Sequence, residues 1–375
     1  MNPQKKMCIA FLGNALHDSR IVNLTNSLKK DGCRVSVISF DWFISKEDYF
    51  RDDLRIFRLT KGKFSLFFYI NFAVTLLKEL INTRADIYFA EDFYTLPFVT
   101  IIAKARRAKV YYNSRELYAF LGGLRKRPYL QSIVKFIEKI FIRKADLVLT
   151  TGEMDSEFLE KFYSIKNTLV IRNIPLLQEP SEKIDFRKIY GIGEEKVILL
   201  YQGVLLEGRG IPVIMRAMVS LPQTVLVLLG DGEQKNNFKS MSEKLNISDR
   251  VIFAGTFSQT QLINYTAAAD IGLSLIENIS VSYYHALPNK LFEYIMAGLP
   301  VLCSNLPQMK KIVEEYRVGE AISIEDDKMV AAALKRFTED KQLLNSYKKN
   351  CSAAAAQLNW QAEYERSRRK LLGIN

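Results

Sequence analysis

Short apolar runs of strand length alternate with helix-length segments along almost the whole chain. That alternation leaves few folds open. "KMCIAFLG" (6–13) reads as a strand, "SRIVNLTNSLKKDG" (19–32) as an amphipathic helix closed by Gly32, and "RVSVISF" (34–40) as the next strand. Strand, helix and strand in that order form a βαβ unit, which demands a parallel sheet with helices packed on its faces. The rhythm continues through strands at 54–59, 86–92, 109–114, 146–152 and 168–173, with long helices at 64–82 and 127–145. It fails at 174–195, where Pro175, Pro180, Gly191 and Gly193 punctuate a polar stretch. It then restarts with strands at 196–203, 224–232, 250–255, 271–276, 300–304 and 319–323. A chain of 375 residues exceeds one comfortable core. The expectation is two doubly wound α/β domains, 1–177 and 178–357, with a final helix at 358–375 that rejoins the first.

Charge is distributed unevenly. Residues 1–178 hold 29 Lys+Arg and 18 Asp+Glu, a net of +11, whereas residues 179–375 hold 24 and 23, a net of +1. The first half is therefore expected to meet something anionic. Cys8, Cys33, Cys303 and Cys351 are scattered without metal-ligand spacing and read as reduced core thiols. The apolar run near the start is broken by Gly13 and Asn14 and is too short for a signal segment. No stretch reaches the roughly 18 uninterrupted apolar residues of a membrane span. A cytoplasmic protein is expected.

Open parallel sheets bind ligands beyond the carboxyl ends of their strands, so the loops there hold the candidate residues. "FLGNALHDSR" offers Gly13 for close backbone approach, with His17 and Asp18 at the start of a helix. "YQGVLLEGRG" (201–210) carries Gly203 and Arg209, whose guanidinium suits a phosphate. "HALPNKLFEYIMAGLPVL" (285–302) is the richest segment. Pro288 fits the first turn of a helix, the amides of Asn289, Lys290 and Leu291 then point outward, and Lys290 adds a charge. Glu293 follows three residues later, where a carboxylate can accept from a ribose diol. Together these residues propose a diphosphate seat.

"YQG…GRG", "LGDGEQ", "VIFAGTFSQTQLINYTAAADIGLSLI" and "LPNKLFEYIMAGLPVL" follow one another in the order seen in the second domain of glycosyltransferase family 4, and "ADIYFAEDFYTLP", "VYYNSREL" and "ADLVLTTG" resemble strand ends of its first domain. The resemblance implies a GT-B architecture, two Rossmann-like domains with a cleft between them, the donor on the second and the acceptor on the first. It implies retaining transfer from a nucleotide sugar without a bound metal or other cofactor, a UDP-sugar being favoured. By position, Glu293 matches the second Glu of the family's Glu-x7-Glu motif and His285 stands at the first. Arg209 matches the basic residue of the phosphate clamp, while Val204 stands where its companion often lies. Lys290 supplies the missing charge, and Asn289, Leu291, Gly203, Gly230 and Gly255 complete the implied donor site. "NSREL" (113–117) replaces the frequent "DSHEL", so Arg115 takes the place of a His beside Glu116. Gly13, His17, Asp18 and Asp92 are the implied acceptor-side residues.

Three other readings compete. A GT-B epimerase would use the same nucleotide site without an acceptor, a basic non-enzymatic nucleic-acid-binding protein would use the charge alone, and a degenerate transferase kept as a scaffold would account for the substitutions at Arg115 and His285. Against nucleic acid, the positive residues are interleaved with long apolar helices and no recognition motif is present. Phe64, Phe67, Phe68, Tyr69 and Phe72 lie between Lys61, Lys63 and Lys78, and "RKR" (125–127), Lys135, Lys139, Arg143 and Lys144 follow. A basic aromatic face suits a peripheral anionic membrane surface, at which a lipid-linked saccharide acceptor in surface polysaccharide synthesis is expected.

Overall fold

The computed structural model describes residues 4–42, 47–60, 65–182 and 184–374; Lys61, Lys63 and Phe64 lie outside these. The chain divides into two compact units, one of Met1–Arg172 with Tyr364–Asn375 and one of Asn173–Glu363.

The first unit contains β1 (Lys6–Phe11), β2 (Arg34–Asp41), β3 (Tyr49–Arg51), β4 (Leu54–Arg58), β5 (Ile87–Ala90), β6 (Lys109–Ser114), β7 (Leu147–Thr150) and β8 (Thr168–Val170). They form one sheet in the order β3-β4-β2-β1-β5-β6-β7-β8. Only the β3–β4 pair is antiparallel. Met7, Cys8, Ile9 and Ala10 of β1 are all buried, as a central strand covered on both faces requires. The strand order reverses between β1 and β5, whose carboxyl ends carry Gly13 and Asp92.

The second unit contains β9 (Val197–Gln202), β10 (Thr224–Leu229), β11 (Val251–Gly255), β12 (Ile271–Ser274), β13 (Val301–Ser304) and β14 (Gly319–Ile322), all parallel in the order β11-β10-β9-β12-β13-β14. This is the doubly wound dinucleotide-fold order, with its reversal between β9 and β12. Those two strands pair only at Ile271–Leu199 and Gly272–Leu200. The hydroxyl of Tyr294 sits where they part. It accepts from the Gln202 amide at 3.1 Å and shares its proton between the carbonyls of Leu200 (3.2 Å) and Leu273 (3.1 Å). Its ring covers Gly272, where a Cβ would come within 2.4 Å of the ring. Tyr294 thus holds the helix Asn289–Met296 against the switch point.

The helix Trp360–Leu371 closes the chain. Tyr364 Oη donates to Asp31 at 2.6 Å, Arg368 pairs with the same carboxylate at 2.7 Å, and Tyr111 Oη donates to the Lys370 carbonyl at 3.0 Å. Asp31 caps the carboxyl end of the helix Ser19–Lys30, where the dipole disfavours a negative charge. Partial burial works against its ionisation, but Arg368 and Tyr364 outweigh burial and hold the carboxyl below its usual 3.8. Asp31→Ala should cost about 1–2 kcal/mol of stability in chemical denaturation. Because the folded pKa is depressed, the wild-type advantage should be complete above about pH 4 and vanish as the pH falls through the folded value.

Candidate functional site

Three loops and one helix start meet at the carboxyl ends of β9, β10, β11 and β12. Gly203 leaves β9 with φ of +126°, a conformation that only glycine adopts freely. Its amide donates to Leu229, and the Gly230 amide donates to Gly255 at 2.7 Å. A Cβ on Gly230 would fall 1.9 Å from the Gly203 carbonyl oxygen, so these two loops touch backbone to backbone. Gly255, at φ of +83°, finishes β11 with open space where its Cβ would be. At these three positions the floor is main chain alone.

Lys290 reaches over that floor. Its Nζ stands 3.6 Å from the centre of the Tyr201 ring, and a Cβ on Gly203 would lie 3.4 Å from it. Lys290 is 8% exposed. Burial, followed by the charge of Arg209, holds its amine well below the ordinary lysine range. Arg209 is half-buried and stacks on Tyr283 at 5.1 Å. The ring faces of Tyr201 and Tyr283 steady the two cations. Burying cations this way is costly unless an anion arrives between them.

The helix begins one residue later than its sequence suggests. Pro288 is the cap, at ψ of 146°, and Asn289 is the first helical residue. The Leu291 amide donates back to the Pro288 carbonyl at 3.1 Å. The amides of Asn289 and Lys290 remain as the outward pair of the first turn. One turn on, the Glu293 carboxylate accepts from Gln202 Nε2 and from Gln259 Nε2, the latter at 3.1 Å. Gln202 is fixed in turn by Thr266, whose hydroxyl donates to its Oε1 at 2.8 Å. Burial pushes the Glu293 carboxyl up, against the pull of both amides and Lys290. His285 is 9% exposed at the end of the helix Val281–Tyr284, and its carbonyl accepts from Gln308 Nε2.

In the first unit, Arg115 follows β6 and is clamped by two carboxylates. Its NH1 lies 2.6 Å from Asp18 Oδ2, and its NH2 lies 2.9 Å from Glu91 Oε2. The guanidinium also stands 4.6 Å over the Phe11 ring. Asp18 caps the helix Ser19–Lys30 through the Ile21 amide at 2.9 Å. Burial opposes its ionisation, and Arg115 overcomes that, so the carboxyl stays below 3.8. Glu91 is fully buried and accepts from Asn113 Nδ2 at 2.7 Å. Asn113 Oδ1 in turn accepts from Arg20 at 3.0 Å. Glu116 and His17 are exposed, and the Gly13 carbonyl accepts from Phe40 at 3.2 Å. Asp92 accepts from the amides of Leu12 and Thr95, both at 2.7 Å, tying the ends of β1 and β5 together.

Residues 182–354 match the family described as glycosyl transferases group 1, and residues 19–174 match glycosyltransferase family 4. The chain belongs to the GT-B glycosyltransferases. An uncharacterized glycosyltransferase of Methanocaldococcus jannaschii is 24% identical over 265 residues, 59% of this chain and 62% of that protein. The N-acetylgalactosamine-N,N'-diacetylbacillosaminyl-diphospho-undecaprenol 4-alpha-N-acetylgalactosaminyltransferase of Campylobacter jejuni is 22% identical over 234 residues, 61% of each. The chain thus spans about three-fifths of the length of these curated relatives. The Anabaena protein HepE, solved with UDP and glucose, superposes with a TM-score of 0.74 at 15% identity over 99% of this chain and 100% of that one.

Within this GT-B chain the structure gathers Gly203, Gly230, Gly255, Arg209, Asn289, Lys290 and Glu293 at one sheet end, and Arg115, Asp18 and Asp92 at the other unit's corresponding end. Sequence reading missed Tyr201, Gln202, Gln259 and Glu91. A polar side chain at the buried end of a strand, as in Gln202 and Glu91, was the available signal. Burial pushes Asp92 up to about 6 against its two amide donors. Between about pH 4 and pH 6 the folded protein therefore keeps a proton that the unfolded chain releases. Stability from this group is present below pH 4 and lost as the pH rises through 6. Unfolding free energies measured across that window should fall by on the order of 3 kcal/mol relative to Asp92→Asn.

Proposed function

We propose that the chain transfers a sugar, with retention, from a nucleoside diphosphate sugar to a saccharide carried on a lipid, in the synthesis of a surface polysaccharide or glycolipid. The observation that carries this reading is the placement of Lys290 and Glu293 one turn apart over a glycine floor. A diphosphate beside Lys290 and Arg209 would meet two cations and the outward amides of Asn289 and Lys290. The ribose diol would then lie at Glu293, displacing Gln259, which is exposed and held by a single contact to that carboxylate. Gln202 would stay and keep the carboxylate oriented. UDP is the favoured nucleotide, in keeping with the ligand of HepE.

In the transfer, negative charge grows on the leaving diphosphate as the sugar becomes oxocarbenium-like. Lys290, Arg209 and the helix start are preorganised for that charge and stabilise the transition state more than the ground state. The diphosphate can accept the acceptor proton, so this route places no proton-transfer duty on Arg115, which is committed to Asp18 and Glu91. His285 stands at the motif position that contacts the donor sugar. A lipid-linked acceptor accords with the named substrate of the Campylobacter jejuni relative, and the reaction is assigned to the cytoplasmic face of a membrane. An epimerase or a scaffold role is the weaker reading, since both units match transferase families.

Calorimetry with UDP tests the donor site. Glu293→Ala removes a charge-assisted hydrogen-bond acceptor, about 1.5–3 kcal/mol, and should weaken UDP about ten- to a hundredfold. His285→Ala should leave UDP affinity near wild type while slowing transfer from a UDP-sugar. Unchanged UDP affinity in Glu293→Ala would remove the ribose assignment.

A further inference from the structure

Three helices of the first unit, Ser65–Asn82, Leu96–Ala105 and Pro128–Ile142, cover one face of its sheet, the middle one packed against both others. Their inward sides are ordinary core: Phe68, Phe72, Leu76, Leu96, Val99 and Ile142 are buried. Their outward sides are not ordinary. Tyr129, Ile133, Phe136 and Ile140 recur at helical spacing, and all are exposed, Tyr129 by 87% and Phe136 by 65%. On the first helix Phe67, Ile70 and Val74 form a second exposed stripe, Phe67 by 72%. A surface helix of a globular domain normally turns charged and polar residues outward. Here apolar residues line both sides.

The charges that the three helices themselves turn outward have one sign. The three helices contain two carboxylates, Glu79 and Glu138. Both are buried. Glu79 pairs with Arg55, and Glu138 accepts from Tyr112 at 2.7 Å and Tyr163 at 2.6 Å. The exposed charges on the helices are Lys78, Lys104 and Lys139; Arg125, Lys126 and Arg127 lead into the third, Arg143 and Lys144 follow it, and Asp86 and Asp146 are exposed acids beyond the ends of the first and third. Lys104 pairs with Asp146 at 2.7 Å, and Arg143 Nε donates to the Tyr163 carbonyl at 2.8 Å. A protein partner of matching shape would need an apolar and acidic face of its own. A bilayer with anionic headgroups supplies both features at once, taking aromatic side chains at the acyl boundary and cations at the phosphates.

We propose that the outward face of these three helices is a docking surface for an anionic lipid bilayer. The proposal depends on the first unit's surface alone and not on the donor-site reading. Aromatic and branched side chains enter the interface, while Arg125, Lys126, Arg127 and Lys139 rest among lipid phosphates. No helix among the described residues is long and apolar enough to cross a membrane, so attachment through this face is peripheral and salt-sensitive.

Vesicle co-sedimentation tests it with the full chain. The protein should pellet with vesicles of phosphatidylcholine and phosphatidylglycerol, stay in solution with phosphatidylcholine alone, and be released by high salt. Reversing Arg125, Lys126 and Arg127 to Glu should weaken partitioning at least about tenfold. Tyr129→Ser with Phe136→Ser should do the same. Both positions are exposed, so circular dichroism and UDP affinity should match wild type, which keeps this outcome separate from the donor site. Absence of binding to the anionic vesicles at low salt would overturn the proposal. So would binding that ignores both sets of substitutions, or a dimer that dissolves on Phe136→Ser in a protein that ignores vesicles, since a second copy would then be the occupant.

Discussion

The second unit's site depends on a single hydroxyl. Tyr294 Oη stands between two strands that have just stopped pairing, and satisfies main-chain groups of Leu200, Gln202 and Leu273 together. Without it those polar groups would be buried and unmet, at a cost of about 1–3 kcal/mol each. Gly272 makes the contact possible by leaving room for the ring. Once Tyr294 is pinned, the helix Asn289–Met296 has one orientation. Lys290 then falls one turn before it and Glu293 beside it. The cation over Gly203 and the carboxylate against Gln202 are consequences of that anchor.

The same end of the sheet shows why glycine recurs there. The Gly203 and Gly230 loops approach so closely that either a side chain or the contact must go. Removing side chains leaves Lys290 suspended between an aromatic ring and bare main chain, short of water and beside Arg209. The electrostatic state without ligand is therefore unfavourable in a specific way. Burial lowers the Lys290 amine and raises the Glu293 carboxyl. Both perturbations favour neutral forms, and the proposed diphosphate would reverse the first by supplying negative charge.

Much of this could be read from residues alone, and the exceptions have physical causes. The alternation of strand and helix gave the doubly wound order, because each strand buried on both faces writes a near-continuous apolar run. The helix start near Pro288 was visible in its punctuation. Glu91 was hidden because its role is long-range: it meets Arg115 and Asn113 only after β5 and β6 pair, and no local spacing records that. Gln202 and Gln259 were hidden for the same reason. The helices at 65–82 and 128–142 illustrate a different limit. Helical periodicity of apolar residues shows which side chains share a stripe, yet Phe68 and Phe72 face the core while Phe67, Tyr129 and Phe136 do not. Where a helix is apolar on two sides, only packing tells which side is covered.

We propose Lys290 and Arg209 as the seat of a diphosphate, with the Lys290 amine held down by burial and by Arg209 until the anion binds. Proton exchange on UDP binding tests it most directly, by calorimetry in buffers of different ionisation enthalpy as the pH is raised toward the ordinary lysine range. If the claim holds, UDP binding takes up a proton once the pH passes the depressed Lys290 pKa, since the bound diphosphate restores the ammonium form. That uptake should be absent in Lys290→Met. UDP binding without proton uptake at any pH in that range, with equal affinity in Lys290→Met, would contradict it.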